Sequence, residues 1–310
     1  MNSEIRHSQT SPVAIIGDTQ RTMPVEFWRE RNHRETGILF RRIAERNPVF
    51  LLHLGDITGF GGSGREWNSF DKHFHPMREK RIPAFPVLGN HEYYGNRARS
   101  LRSLRSRFPF LDEKGWYSFT HKRVGFIMLN SNLHRLNPGQ VREQREWYRR
   151  SLAENERNRE IDFVVVCTHH PPFTNGRYVR KRRRVREYFA EPFERSRKTA
   201  LFLSGHCHSY ERYEKGGKQF IISGGGGGPR HTLHTKRHKR SFPDSYTGPP
   251  KRSLHFCEME IRDDHLLFRM MELRENDSLV TGEEFLIRRN GQSSGGDASP
   301  EPPLFLPSPS

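Results

Sequence analysis

The stretch Val13-Ala-Ile-Ile-Gly-Asp18-Thr-Gln20 is the part of the sequence from which the fold can be worked out. Residues 13–17 form an apolar run of the right length for a buried β-strand, and the polar residues after it mark the end of that strand. A Gly-Asp pair in this position is usually an ordinary turn. It could instead present a carboxylate at the edge of a sheet, where α/β proteins bind their ligands. The other strands of the chain distinguish between these alternatives.

Four later apolar runs also end in polar residues. They are 49–54 before Gly55-Asp56, 82–88 before Gly89-Asn-His-Glu92, 163–166 before Cys167-Thr-His-His-Pro-Pro172, and 201–204 before Gly205-His-Cys-His208. Ligands of open α/β sheets gather beyond the carboxyl ends of the strands. A single shared site is therefore the simplest hypothesis.

Helical patterns separate several of these strands. We predict helices over 22–46, 65–79, 97–107 and 140–155, and further strands over 116–120, 124–129, 220–223, 254–261, 266–273 and 284–288. The alternation of strands and helices predicts an α/β fold.

Composition limits the classes of protein to be considered. No apolar run approaches the roughly 18 residues needed to cross a bilayer, and the first eleven residues are too polar for a signal peptide. The three cysteines are widely spaced, which favours a reducing compartment over a disulfide framework. We therefore expect a cytoplasmic protein without a transmembrane segment. We predict a flexible N-terminus over 1–11, one domain over 12–290 and a disordered Gly/Ser/Pro-rich tail over 291–310.

The net charge of +17 indicates attraction to an anionic molecule. Much of the excess lies in two basic insertions, near 177–186 and 229–252. Such blocks are commonly solvated surface, but they could bind a phosphorylated substrate or nucleic acid. No protein partner can be inferred.

The order of the five polar blocks is Asp-x-Gln, Gly-Asp, Gly-Asn-His-Glu, His-His-Pro-Pro and Gly-His-Cys-His. This order resembles the calcineurin-like metallophosphoesterase superfamily over residues 13 to about 228. Four blocks match, and the first departs because Gln20 stands where the superfamily has a histidine. The resemblance implies an α/β fold of four layers, an α/β/β/α sandwich in which two mixed sheets are flanked by helices.

The resemblance also implies a site for two divalent or mixed-valence metal ions. One ion would be held by Asp18 and His208, and the other by Asn90, His169 and His206. Asp56 would bridge both ions. His169 is preferred to His170 because the family's ligand usually stands two residues before a proline, so that His170 becomes a neighbour.

By the same resemblance, a metal-bridged hydroxide attacks phosphorus and His91 donates a proton or stabilises the transition state. Glu92 would orient His91 or a ligand. The implied activity is that of a metallophosphoesterase, and we expect a phosphomonoesterase. A phosphodiesterase acting on nucleotides or nucleic acid, and a catalytically silent interaction module on the same fold, are the alternatives. Arg182, Arg183 and Arg184 are candidate contacts for a substrate phosphate.

Gln20 is a candidate metal ligand, and direct ligation, contact through a water molecule and no metal role are the alternatives at this position. A neutral amide oxygen binds a hard cation more weakly than imidazole does, and it should favour manganese or magnesium over zinc. We expect the two metal ions to be manganese or iron, with zinc or magnesium as alternatives. Purple acid phosphatases resemble the chain in some blocks but carry a tyrosine three residues after the bridging aspartate. Gly59 stands at that position, so an iron–tyrosinate colour should be absent.

Two further features have expected structural roles. Cys207, between two proposed ligands, should face away from the metals and pack in the core. The five glycines from Gly224 to Gly228 lack the spacing of a phosphate-binding loop, and we expect a backbone too crowded for side chains.

Overall fold

Two β-sheets of six strands each form the centre of the protein in the computed structural model. The structure describes residues 11–177, 183–234, 236, 239, 240 and 242–289. The strands are β1 (Val13–Ile16), β2 (Phe50–His53), β3 (Ala84–Pro86), β4 (Tyr117–His121), β5 (Val124–Met128), β6 (Phe163–Thr168), β7 (Thr199–Ser204), β8 (Tyr210–Lys215), β9 (Lys218–Ser223), β10 (His255–Ile261), β11 (His265–Leu273) and β12 (Leu279–Arg288).

Both sheets are mixed. The first has the order β12-β11-β10-β1-β2-β3, and the second has the order β4-β5-β6-β7-β9-β8. In the first sheet β1, β2 and β3 run parallel, whereas β10 to β12 are antiparallel additions. In the second sheet β5, β6, β7 and β9 run parallel between two antiparallel edge strands. Parallel neighbours place their carboxyl ends at one edge of each sheet.

Helices cover the outer faces of the sheets. They are α1 (His33–Glu45), α2 (Gly64–Glu79), α3 (Arg97–Arg107) and α4 (Pro138–Arg157), together with a run of short helical segments over Arg183–Val185, Arg186–Ala190 and Glu191–Arg195. The first three helices share a core with the first sheet, and α4 and the short run share a core with the second. The predicted four-layer sandwich is confirmed.

Strand β1 shows why its sequence is apolar without alternation. Val13 and Ile15 lie in the core between the two sheets, while Ala14 and Ile16 pack against α1 and α2. Successive side chains of a strand point to opposite faces, so a strand covered on both faces needs apolar residues throughout. This explains the continuous run in the opening stretch.

The prediction of one long helix over 22–46 is wrong at its first half. A single 3₁₀ turn forms at Pro24–Glu26, and α1 begins only at His33. Tertiary hydrogen bonds hold the intervening segment as a loop: the Arg29 guanidinium donates to the Pro229 carbonyl at 2.8 Å, and Glu30 pairs with Arg230. Strand β8 and the short helical run were not predicted from the sequence, and β12 begins at Leu279, earlier than the predicted 284–288.

Two expectations about the ends and the surroundings of the chain stay predictions. The flexible N-terminus and the tail lie outside the described residues, apart from Ser11. Among the helices of the described part of the chain, none is both long and apolar enough to cross a membrane. The cytoplasmic location is untested.

The glycine run from Gly224 to Gly228 is crowded at every position. A Cβ atom on Gly224 would lie 2.2 Å from the Cys207 carbonyl oxygen, and one on Gly226 would lie 2.4 Å from the Gly17 carbonyl oxygen. A Cβ on Gly228 would lie 2.7 Å from the His208 ring. The expected crowding is confirmed. Because the glycines have no side chains, their backbone can pass close to the ends of β1 and β7.

We expect Gly226→Ala to lower the free energy of unfolding by about 2 kcal/mol, because its methyl group must displace backbone. Gly64→Ala is the matched control, since a methyl group at this first residue of α2 would have no atom within 4 Å. The control should change stability by less than about 0.5 kcal/mol. Urea denaturation measures both, and equal midpoints would contradict the crowding.

Candidate metal centre

The polar ends of five strands meet where the carboxyl edges of the two sheets adjoin. The Asp18 backbone N–H donates to the Gly55 carbonyl at 3.0 Å, which joins the ends of β1 and β2. The Gly205 N–H donates to the His169 carbonyl at 3.0 Å, which joins the ends of β7 and β6. The His206 N–H then donates to the Asp18 carboxylate at 2.8 Å and connects the two sheets.

Three residues at this junction have a backbone conformation that is uncommon for side-chain-bearing residues. Asp18, Asp56 and His206 have φ angles of 60°, 52° and 68°. Such left-handed conformations cost free energy and persist only when the surrounding structure enforces them, and they cluster at functional sites. The angle at His206 also means that Cys207 does not alternate as in an extended strand. Cys207 is nevertheless fully buried in the outer core of the second sheet, as expected.

Asp56 lies between the two halves of the cluster. Its Oδ2 atom is 3.3 Å from His169 Nε2 and 3.8 Å from His91 Nε2. Its Oδ1 atom accepts a hydrogen bond from the His91 backbone N–H at 2.9 Å. Ligand atoms of Asp18, Asp56 and His208 also lie within 4.8 Å of one another. One carboxylate thus reaches both groups.

The first half of the cluster is formed by Asp18, Gln20 and His208. The distance from Asp18 Oδ1 to His208 Nε2 is 3.5 Å. Gln20 is buried, and its side-chain amide has two possible orientations. In one of them the amide nitrogen faces backbone carbonyls that accept its hydrogen bonds. That nitrogen then donates to the carbonyls of Asp18 and Asp56, at 3.1 Å each, and Oε1 lies 2.9 Å from His208 Nε2.

The second half is formed by Asn90, His169 and His206. His169 Nε2 lies 3.2 Å from Asn90 Oδ1 and 3.2 Å from His206 Nδ1. His170 adjoins them, with its ring 4.4 Å from that of His206, and its Nδ1 atom contacts the Ser131 hydroxyl at 2.9 Å.

Backbone carbonyls set the tautomers of three imidazoles. The Nδ1 atoms of His169, His208 and His91 lie 2.8, 2.8 and 2.7 Å from the carbonyl oxygens of Leu54, Pro229 and Gly59. A carbonyl only accepts, so each Nδ1 carries the proton. For His169 and His208, the Nε2 lone pair is therefore turned towards the carboxylates, the arrangement typical of metal-binding histidines.

The electrostatics of the cluster favour added positive charge. Burial raises the pKa of Asp18 well above its ordinary value, and the nearby Asp56 carboxylate adds to the rise. Burial also opposes ionisation of Asp56, but the His169 and His91 imidazoles outweigh it and hold the pKa of Asp56 well below its ordinary value. Burial lowers the pKa of His169, and Asp56 more than compensates and raises it to about 9. The donor set therefore fits divalent cations, which supply that charge without protonating the ligands.

Glu92 supports the backbone that carries Asp56. Its buried carboxylate accepts from the backbone N–H groups of Asp56 and Gly89 at 3.0 and 2.7 Å, and from Ile57 and Thr58 at 2.8 and 3.4 Å. Burial raises the pKa of Glu92 to about 7, and Asp56 adds to the rise. Glu92 thus joins the loop after β2 to the loop after β3.

We expect Glu92→Ala to lower the free energy of unfolding by about 3 kcal/mol, because it leaves buried N–H groups without acceptors. Glu113→Ala is a suitable control, since the Glu113 side chain is 63% exposed and pairs only at the surface. The control should stay within about 0.5 kcal/mol of the parent protein. Denaturant titration at pH 8 gives both values, and a similarly small loss for Glu92→Ala would argue against this bracing role.

Two supporting residues are not among the candidates predicted from the sequence. One is His53, whose Nδ1 atom accepts from the Gly55 N–H at 3.2 Å and whose Nε2 atom contacts the Thr19 hydroxyl at 3.0 Å. It thereby ties together the loops of Asp18 and Asp56. Ser131, which contacts His170, follows β5 within Asn130-Ser131-Asn132. The rule that found the other blocks, polar residues after a strand, would have found this one.

Two of the three arginines predicted to contact phosphate lie in the described part of the chain. Arg182 lies outside the described residues. The Arg183 side chain is 88% exposed and pairs with Glu187, and Arg184 is exposed. A role for these three residues in phosphate binding stays a prediction.

Comparisons with known proteins identify the family. A family model described as calcineurin-like phosphoesterase matches residues 11–210. The chain belongs to the calcineurin-like phosphoesterase family.

Two proteins that are similar in sequence show how much of each chain is shared. An uncharacterized protein of Mycobacterium tuberculosis is 30% identical over 203 residues, which cover 56% of this chain and 36% of the relative. Tartrate-resistant acid phosphatase type 5 of Homo sapiens is 23% identical over 257 residues, covering 74% of this chain and 76% of that protein. The chain thus spans little more than a third of the length of the mycobacterial relative.

Solved structures share the fold. A purple acid phosphatase from yellow lupin (Lupinus luteus) superimposes with a TM-score of 0.71 at 17% identity, covering 92% of this chain and 55% of that one. A dimetal phosphatase from Danio rerio gives a TM-score of 0.63 at 17% identity, covering 90% of this chain and 99% of that one. Purple acid phosphatases are thus among the similar proteins, although Gly59 replaces the tyrosine expected in that branch. The absence of an iron–tyrosinate colour stays a prediction.

Proposed function

We propose that the protein is a dinuclear-metal-dependent phosphoesterase and, within that class, a phosphomonoesterase. The observation that carries the proposal is the spacing of the donor atoms around Asp56. Metal–ligand bonds of about 2.1 Å at right angles place neighbouring ligand atoms about 3 Å apart. Pairs of donor atoms in the cluster are separated by 2.9 to 3.5 Å. These separations are close to those expected between neighbouring ligand atoms of one metal ion, and the side chains that provide them come from five separate loops.

The proposed ligands divide between two ions. Asp18, Gln20 and His208 would hold one ion, and Asn90, His169 and His206 would hold the other, with Asp56 shared between them. Carboxylate, amide and imidazole donors without thiolates are compatible with manganese, iron, zinc or magnesium. Manganese or iron remains the favoured choice.

Direct ligation by Gln20 is supported by the hydrogen bonds of its amide. When its nitrogen donates to two carbonyls, Oε1 faces His208 Nε2, whose ring proton is on Nδ1. In that orientation Oε1 either accepts a hydrogen bond from a protonated Nε2 or, with the proton on Nδ1 alone, faces the Nε2 lone pair. Burial lowers the pKa of His208 well below its ordinary value, so a proton is disfavoured there. A metal ion satisfies both atoms.

His91 is the proposed catalytic residue. When bound, two metal ions neutralise the phosphoryl oxygens and lower the pKa of a water nucleophile. The chain itself supplies an imidazole beside Asp56, with Nδ1 held by the Gly59 carbonyl and Nε2 turned towards the cluster. Its side chain is 13% exposed, so a bound ester can reach it. Protonated His91 would donate from Nε2 to the departing oxygen.

Purified protein should hydrolyse p-nitrophenyl phosphate faster than bis(p-nitrophenyl) phosphate when supplied with manganese or iron. Asp56→Ala should abolish the activity, and His91→Ala should lower kcat by about 10²- to 10⁴-fold. His75→Ala is the matched control, because the His75 side chain is 66% exposed and pairs only with Glu79. Undiminished activity in Asp56→Ala would refute the dinuclear mechanism, and faster cleavage of the diester would identify a phosphodiesterase.

Gln20→His should raise the affinity for zinc relative to manganese by about tenfold, with activity retained, because imidazole is the softer ligand. Competition with a chelating dye measures both affinities without relying on turnover. Gln20→Leu should weaken binding of either ion. Unchanged affinities in both variants would show that Gln20 is not a ligand.

A further inference from the structure

Phe60 is an exposed aromatic residue held in a fixed position beside the candidate site. It lies in the loop after β2, and 44% of its surface is exposed. The Gly61 N–H donates to the His91 carbonyl and the Gly62 N–H donates to the Tyr94 carbonyl, each at 2.9 Å. These bonds attach the backbone on the C-terminal side of Phe60 to the turn that contains His91.

Gly95 makes room for the Phe60 ring. Its φ angle is +85°, and a Cβ atom there would lie 2.3 Å from the ring carbon Cε1 of Phe60. The ring therefore lies directly against the backbone of Gly95. The exposed ring is thus packed on one side and presents its remaining surface to solvent.

Tyr94 continues this aromatic surface to His91. The Tyr94 ring centroid is 6.3 Å from that of Phe60 and 4.7 Å from that of the His91 imidazole. The Tyr94 hydroxyl accepts a hydrogen bond from the Asn90 amide at 3.2 Å. Phe60 and Tyr94 form the wall next to the proposed proton donor, which we call the aromatic wall.

The position of His91 defines which part of a substrate lies near this wall. If His91 protonates the departing oxygen, the carbon group on that oxygen must extend away from the phosphorus past the His91 ring. Tyr94 contacts the His91 ring, and Phe60 extends the aromatic surface from Tyr94. Contact between an exposed phenylalanine ring and water is unfavourable, and the free energy falls when a ligand covers the ring.

We propose that the aromatic wall binds the leaving group of the substrate and selects phosphate monoesters whose alcohol carries an aromatic ring. This inference rests on the phosphoesterase function proposed above and adds the substrate class. Aromatic rings prefer offset or edge-to-face contacts with other rings, which an aliphatic chain of similar size cannot provide. Phe60 is the specificity-determining residue because its ring has the exposed surface.

The test compares 2-phenylethyl, 2-cyclohexylethyl and ethyl phosphate, whose leaving groups are all primary alcohols of similar acidity. We expect kcat/KM to be about tenfold higher for the phenyl ester than for the cyclohexyl ester. In Phe60→Ala this ratio should fall to about one. Phe60→Leu, which keeps an apolar side chain without a ring, should also lose the preference for phenyl over cyclohexyl.

Binding provides a readout that does not depend on turnover. Calorimetric titration with 2-phenylethylphosphonate and 2-cyclohexylethylphosphonate should show the same preference in the parent protein and its loss in Phe60→Ala. Phe110→Ala is the matched control, since Phe110 is 49% exposed but packs against Phe85 and Tyr117. It should keep the aromatic preference. Unfolding curves check that Phe60→Ala remains folded.

The outcomes separate this inference from the function on which it rests. If the parent protein hydrolyses all three esters without an aromatic preference, the aromatic wall is not a leaving-group site and the phosphoesterase function stands. If the preference survives in Phe60→Ala, the assignment to Phe60 is wrong. Trp28 is 69% exposed in the loop before α1, and loss of the preference in Trp28→Ala would then assign the leaving group to that loop. If no ester is hydrolysed with any metal, the proposed function itself fails.

Discussion

Two buried carboxylates that face the same small space are the constraint on which this protein depends. Asp18 and Asp56 end neighbouring parallel strands and are removed from water. Like charges in such surroundings raise one another's pKa and destabilise the fold unless cations or donors compensate. Imidazoles from the other sheet and backbone N–H groups provide part of that compensation. The surroundings of the cluster therefore hold negative charge at the site where we propose that cations bind.

The support for this arrangement is mostly backbone. Glu92 holds the Asp56 loop through N–H groups, and the carbonyls of Leu54 and Pro229 orient the imidazoles of His169 and His208. The glycine run removes the side chains that would separate these loops. The proposed metal ligands, held in this way, would need little rearrangement on binding, which would reduce the free-energy cost of forming the site.

The two departures from the family pattern, Gln20 and Gly59, lie close to the start of the loop that breaks the first predicted helix, and a Cβ atom on Gly59 would lie 3.0 Å from the Arg21 carbonyl oxygen. Gln20 replaces an imidazole by an amide oxygen, and residues 22–32 follow it as a loop pinned to Pro229 and Arg230. Gly59 supplies the carbonyl that orients His91, and Phe60 follows it. Changes at these positions should leave the sandwich of sheets intact, because none of them contributes to the core between the sheets.

The layered α/β fold and the strand-end blocks could be predicted from the sequence alone. Apolar runs of strand length and polar residues after them are local patterns, and the order of the blocks carried the family resemblance. The bracing of Asp56 by Glu92, the link that His53 makes between two loops, and the loop at residues 22–32 became visible only in the folded chain. Each depends on contacts between distant segments: the Arg29–Pro229 hydrogen bond overrides a helical pattern that is favourable locally. The position of the exposed Phe60 ring likewise depends on its packing against Gly95, and no periodicity in the sequence predicts that contact.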